Sequence, residues 1–222
     1  MQQLIAGVRF LIDNIGAVSL LFGEHLQLAG IALAISLAIA IPLGWLLSRV
    51  RWLRGPVLGV LGIIYTIPSL SLFVLLIPVL GLGARTAIVA LVAYAQIVLV
   101  RNVLIGLTGI DPAVIEAAKG MGMNGWQRFS RVEFPLALPL ILAGTRVAAL
   151  STIGIGTVAA FIGAGGLGQL LFQGVATGSR PRIVAGSIAI TLLALGANLI
   201  LRLLEQYSSR SLRGENRAAP SS

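Results

Sequence analysis

The chain contains no cysteine, one histidine, one lysine and only seven acidic residues among 222. Without cysteine it has no disulfide, no thiolate metal site and no cysteine nucleophile. The single histidine, His25, has no ligand partner nearby in sequence. At the start of an apolar span it is expected to face water, and it is assigned no metal or proton-relay role. No Gly-x-x-x-x-Gly-Lys followed by Ser or Thr occurs, and the only lysine, Lys119, lies elsewhere, so the chain does not cradle ATP by the P-loop route. Charge of any kind is scarce, at 10% of residues against 57% hydrophobic. A chain with that balance does not cover itself with a water-facing surface, and its solvent is a bilayer.

Four tracts carry no charge at all: Leu26 to Ser48, Gly55 to Ala84, Val147 to Ser179 and Ile183 to Leu201. A fifth, Thr86 to Val100, ends at Arg101. A helical span needs about 20 residues. Carrying the fifth past Arg101, and starting the fourth span near Phe134 with Arg146 inside it, gives an all-α polytopic fold. Its five expected spans are 25–48, 56–80, 85–109, 134–160 and 182–203.

Arg and Lys set the orientation, because short loops rich in them stay cytoplasmic. Arg49, Arg51, Arg54, Lys119, Arg128, Arg131, Arg202, Arg210, Arg213 and Arg217 fall on one side of a five-span chain. Arg9, Arg85, Arg180 and Arg182 fall on the other. The N-terminus is therefore expected outside and the C-terminus in the cytoplasm. The net charge of +9 is mostly a topology signal. No basic run is interleaved with aromatics as a nucleic-acid groove requires, so nucleic acid is not an expected partner.

Residues 1–24 lack the basic start and small-residue cleavage site of a signal peptide and are expected to be retained. Leu4, Val8, Leu11, Ile15, Val18 and Phe22 recur at helical spacing, predicting a helix in the outer interface or packed on the bundle. Trp45 and Trp52 bracket the basic end of the first span as interfacial anchors do. Residues 205–222 form the expected cytoplasmic tail, which from Ser208 onward is too polar to pack and is expected to be disordered. No internal repeat announces an inverted-repeat carrier.

The second tract contains Pro56, Pro68 and Pro78, each removing a backbone donor, so it is expected to break. Broken helix at membrane depth is tolerated only against protein or a water-lined cavity. Tyr65, Thr66, Ser69 and Ser71 surround Pro68. Tyr65 and Ser69, with Tyr94 and the intramembrane Arg146, are candidate residues of a pathway. Two simpler readings stand beside that one: hydroxyls bonding the carbonyls that proline frees, and an arginine snorkelling to the interface.

The most informative segment is the 111–135 loop between the third and fourth spans. Asp111-Pro112 is a helix start, since aspartate accepts from orphan amides and proline at the first position loses no bond. Val114, Ala118 and Met121 are expected on one face, with Ala117 beside them, leaving room for a partner to approach. Gly120 and Gly122 predict a turn. A second short helix, 124–131, then carries Trp126 and Phe129. A plain link needs only a few residues, whereas this one uses about two dozen.

Gly163-Ala164-Gly165-Gly166-Leu167-Gly168 also fits the Gly-x-Gly-x-x-Gly dinucleotide pattern. That pattern needs an acidic residue about 20 residues on, and none lies between Glu133 and Glu205. Close backbone packing and a sharp turn are sufficient reasons for these glycines; Gly163, Gly165, Gly166 and Gly168 are also candidates for an outer gate.

Glu116-Ala117-Ala118, three residues, Gly122, nine residues, then Val132, Glu133, Phe134 and Pro135 resemble the EAA loop of binding-protein-dependent ABC importer permeases. Valine and phenylalanine replace that pattern's isoleucine and leucine. Residues 25–204 are similar to the osmoprotectant permeases, which serve glycine betaine, carnitine or choline; Ala159-Ala160-Phe161-Ile162 and the glycines after it carry that likeness. The methionine-type permeases are the nearest alternative, and a gradient-driven carrier is a further one. The resemblance implies a type I importer permease fold in the cytoplasmic (inner) membrane of a prokaryote. Glu116, Ala117, Ala118, Lys119, Met121 and Gly122 would then couple the chain to two ATPase subunits. It also implies a second permease, identical or related, and an extracytoplasmic solute-binding protein. No cofactor is expected on this chain, with ATP and Mg on the partner ATPase.

Overall fold

The computed structural model describes residues 1–215. Ten α-helices and no strand lie among the described residues. They are α1 (Gln2–Asp13), α2 (Ile15–Arg49), α3 (Arg54–Thr66), α4 (Ser69–Leu80), α5 (Ala84–Thr108), α6 (Pro112–Gly120), α7 (Gly125–Arg128), α8 (Phe134–Ala159), α9 (Gly168–Ala176) and α10 (Arg180–Glu215). A π-helical turn, Phe129–Glu133, joins α7 to α8.

Four stretches are long and apolar enough to cross a membrane: α2, α5, the α7–α8 continuation and α10. The second tract breaks at Ile67-Pro68, and α3 and α4 meet at 99°. Proline drives the preceding residue out of the helical region, and Ile67 is extended, with φ −67° and ψ 129°. Despite the bend the pair carries the chain across. Arg49, just before it, bonds Glu133 at one end of the bundle, and Gly83, just after it, donates to the Ile162 carbonyl at the other.

The bundle is built around α5, whose sides pack on α2 and α8. In lipid, helices gain little from hydrophobic burial and associate through close packing, which favours small residues at the contacts. Here Ala87, Ala90 and Ala95 of α5 are buried. A β-carbon on Gly44 would lie 2.5 Å from Val103, and one on Gly144 would lie 2.5 Å from Asn102. Residues on these helices therefore set interhelical spacing by what they lack.

At the break two polar residues, Thr66 and Tyr94, serve as backbone partners. Thr66 Oγ1 donates to Ile63 O at 2.7 Å, and the Tyr94 hydroxyl donates to the carbonyl of Ile67, which stands outside both helices at the break. Tyr94→Phe removes that donor and leaves a carbonyl unpaired, at an expected cost of about 1–3 kcal/mol. A lower melting temperature in detergent, with unchanged membrane insertion, is the expected result. An unchanged melting temperature would mean that another donor serves Ile67.

Several expectations are corrected. The 24/25 boundary falls inside α2, which begins at Ile15 because Asn14 alone interrupts the helical run. Of the two placements expected for α1, packing on the bundle holds: Gly7 is buried against Val184 and Ala185 of α10. Helix does not end near residue 203 but continues as α10 to Glu215; the remainder of the expected tail, 216–222, lies outside the described residues. His25 does not face water, being fully buried.

Candidate functional site

The 111–135 segment folds as the capping signals require. Asp111 accepts from Ala113 N at 2.8 Å, and Asn124 and Gln127 exchange side-chain and backbone bonds as a capping box at the start of α7. Between the two helices Gly122 takes φ +76°, the left-handed conformation that favours glycine. The result is a compact helix, turn and helix at one end of the bundle.

Of the six residues expected to meet an ATPase, Glu116, Ala117, Lys119, Met121 and Gly122 are exposed. Ala118 is buried at 1%, which corrects its expected place on a shared outward face with Val114 and Met121. Its immediate neighbours Ala117 and Lys119 stay exposed, because successive positions of a helix point in different directions, and Ala118 alone of the six packs inward. Lys119 Nζ donates to Glu116 Oε1 at 2.7 Å, and this bond holds the Glu116 carboxyl below its ordinary range. Both partners are exposed, so the pair shapes the surface's charge more than its stability.

One carboxylate to which the sequence alone assigns no role anchors this loop. Glu133 has a side chain only 3% exposed. Arg49 Nη2 donates to both its carboxylate oxygens, at 2.7 and 2.5 Å, and Arg128 Nε donates to Oε1 at 2.7 Å. One carboxylate thus ties the end of α2 to α7 at the entry to α8. A π turn inserts one residue into a helix and recurs at functional sites; here it leaves both Phe129 and Glu133 buried. The available signal was cost: Glu133 stands between Val132 and Phe134 at the mouth of an apolar span, where an unpaired carboxylate is expensive.

Aromatic residues complete the underside. Phe129 meets Trp45 at 5.6 Å between ring centroids, Trp126 at 5.7 Å and Phe134 at 5.8 Å. Trp45 therefore holds the loop and is not a free interfacial anchor, whereas Trp52 is 76% exposed, as an anchor would be. Arg54 caps α2, donating to Leu47 O and Ser48 O at 2.8 and 3.0 Å. Between the ends of α2, α5 and α6 lies a polar cleft of about 260 Å³, lined by Ser48, Arg49, Arg51, Arg54, Thr108 and Glu116 among others.

The candidate pathway residues divide. Tyr65, Ser69 and Tyr94 come together at the break: Tyr65 is 46% exposed and its ring stands edge-on to Tyr94 at 6.0 Å, while Ser69 begins α4. Arg146 is not brought to them. Its Nε lies 3.3 Å from Glu205 Oε2 on α10, so this intramembrane charge is paired within the chain, the usual solution at that depth.

At the far end of the bundle the glycine-rich segment packs on Glu24 and His25 of α2. Gly163, Gly165 and Gly166 all have positive φ. Gly166 N donates to Glu24 Oε2 at 2.9 Å, and a β-carbon on Gly166 would lie 2.9 Å from His25 Nδ1. His25 Nε2 is 3.1 Å from Ile153 O of α8. A β-carbon on Gly168 would run into the Thr157 carbonyl. Gly168→Ala is accordingly expected to cost about 1–3 kcal/mol or more through overpacking, read as less folded protein in the membrane. Wild-type yield and melting would show that the backbone yields there.

Three comparisons bear on this geometry. Residues 21–214 match the family described as binding-protein-dependent transport system inner membrane component. The chain is 39% identical over 206 residues to the glycine betaine/carnitine/choline transport system permease protein OpuCB of Bacillus subtilis, covering 92% of this chain and 95% of that protein. It is 39% identical over 203 residues to the osmoprotectant import permease protein OsmW of Salmonella typhimurium, covering 89% and 94%. Among solved structures, two inward-facing crystal forms of the MetNI methionine ABC transporter superpose with TM-scores of 0.76 and 0.79 at 24% and 23% identity. They cover 83% and 86% of this chain and 93% and 95% of theirs, a likeness of fold.

Proposed function

Because the chain belongs to the family of binding-protein-dependent transport system inner membrane components, we propose that it imports an osmoprotectant such as glycine betaine, carnitine or choline, driven by a separate ATPase. The observation that carries this reading is the 39% identity to the glycine betaine/carnitine/choline permease along nearly the whole of both chains. The 111–135 loop faces the cytoplasm and seats on the ATPase through Glu116, Ala117, Lys119, Met121 and Gly122. Ala118 supports that surface from beneath.

Two ATPase subunits, holding ATP and Mg, work on a pair of permeases, identical or related, and a binding protein delivers solute from outside. ATP binding closes the motors and turns the pathway outward; hydrolysis resets it. Tyr65 and Ser69 at the broken helix line the path, and the glycine-rich turn forms part of the outer gate. Arg146, paired with Glu205, orders the α8–α10 contact.

The test is reconstitution in proteoliposomes with a partner ATPase and binding protein, using radiolabelled glycine betaine, carnitine and choline. Uptake requiring both ATP and the binding protein is expected. Accumulation that persists without ATP would replace this reading with a gradient-driven carrier.

A further inference from the structure

Two helices run antiparallel between the ends of the bundle, and they are fastened to each other at both. At the loop end Arg49, the last residue of α2, holds Glu133, the residue before α8. At the glycine end His25, well inside α2, reaches Ile153 O on α8, and Glu24 accepts from Gly166 in the turn beyond α8. The α2 span between these fastenings is unbroken helix despite Pro42. Close beside that proline, Gly44 packs against Val103 of α5, bracing the position where α2 is most able to bend.

We propose that α2 and α8 move as one body, and that Glu133 at one end and Glu24 with His25 at the other carry displacement of the 111–135 loop to the glycine-rich turn. Glu133 is then a positioning residue for transport. It touches neither solute nor nucleotide and acts by keeping α2 in step with α8. A continuous α8 already joins the loop to the turn covalently, so the content of the inference is that α8 alone is insufficient. Interfaces of this kind transmit small shifts because packed elements have discrete arrangements, and such a path is established only by measured coupling.

The inference rests on the transport reading, and the experiment separates the two. Complete complexes bearing Glu133→Gln, Glu24→Ala or both are reconstituted with glycine betaine as the probe, and solute moved per ATP hydrolysed is compared with wild type. Each single variant is expected to assemble with the ATPase and hydrolyse ATP, with the transport ratio down by about tenfold, within the usual range of coupling between sites. Glu133→Asp, which keeps the charge, is expected to recover most of it. The double variant is expected to be no worse than the poorer single one, since both break the same frame. Sites this far apart with no shared partner ordinarily add. Losses that multiply in the double variant, or single variants within about twofold of wild type, would overturn the inference. A Glu133→Gln complex that does not assemble makes Glu133 part of docking alone and would overturn it equally. If the wild-type complex moves no glycine betaine with ATP, the transport reading fails and takes this inference with it, a result independent of either substitution.

Discussion

Glu133→Ala is expected to lower the melting temperature of the permease in detergent more than any other single change at the loop end. The carboxylate is nearly inaccessible and bridges two guanidiniums. Removing one partner of a buried ionic group strands the other charges, at a typical cost of 3–5 kcal/mol. Arg49 keeps about a third of its side chain in solvent, so the loss here belongs near the lower bound, about 3 kcal/mol. For a chain of this length that corresponds to roughly 6–12 °C. The same variant should expose the 111–135 loop to protease, because the tie between α7 and α2 is gone. A melting curve and cleavage pattern like the wild type's would show that Trp45, Phe129 and the aromatic contacts hold the loop unaided.

Gly122→Asp should act in the opposite way, sparing the fold and abolishing coupled transport. Beyond its own chain neighbours nothing lies within 4 Å of where its β-carbon would sit, so no other part of the permease clashes. Its φ of +76° costs an ordinary L-residue about 1–2 kcal/mol, and aspartate is among the residues that tolerate it best. On the proposed seating of this loop on an ATPase, the larger effect falls at that contact, where a new carboxylate beside Met121 must be desolvated. A charge left unpaired in an interface costs at least about 2 kcal/mol, or roughly thirtyfold in affinity. Membrane insertion and melting near the wild type's are expected together with loss of ATPase association and uptake. Gly122→Asn, equally able to adopt the left-handed turn but uncharged, should be milder. Association and uptake unchanged in the aspartate variant would remove Gly122 from the docking surface.

Local chemistry was legible in the sequence, and long-range pairing was not. Asp111-Pro112 and Gly122 announced the start and turn of the loop because caps and left-handed residues act within a few positions. Pro68 announced the break for the same reason. The apolar tracts placed the spans, though not the extra length of α2, which starts upstream at Ile15, nor that of α10, which continues helical into polar sequence. What escaped notice joins distant residues: Glu133 to Arg49, His25 to Ile153, Gly7 to Val184. Arg49 and Arg54 were read as topology signals, and the structure gives them a second use as a clamp and a helix cap. His25 was misplaced because a lone polar residue at a span's start looks solvated until the glycine turn folds over it.

The fastenings of α2 also impose an order on the making of the protein. Arg49 leaves the ribosome 84 residues ahead of Glu133, an interval of about 4–17 s at common synthesis rates. Glu24 precedes its partner Gly166 by 142 residues, a longer wait still. Until Glu133 emerges, α2 sits in the bilayer with neither of these two fastenings made. The clamp at the loop end closes before the one at the glycine end, and the 111–135 loop gains its tie to α2 while the last helix is still unmade.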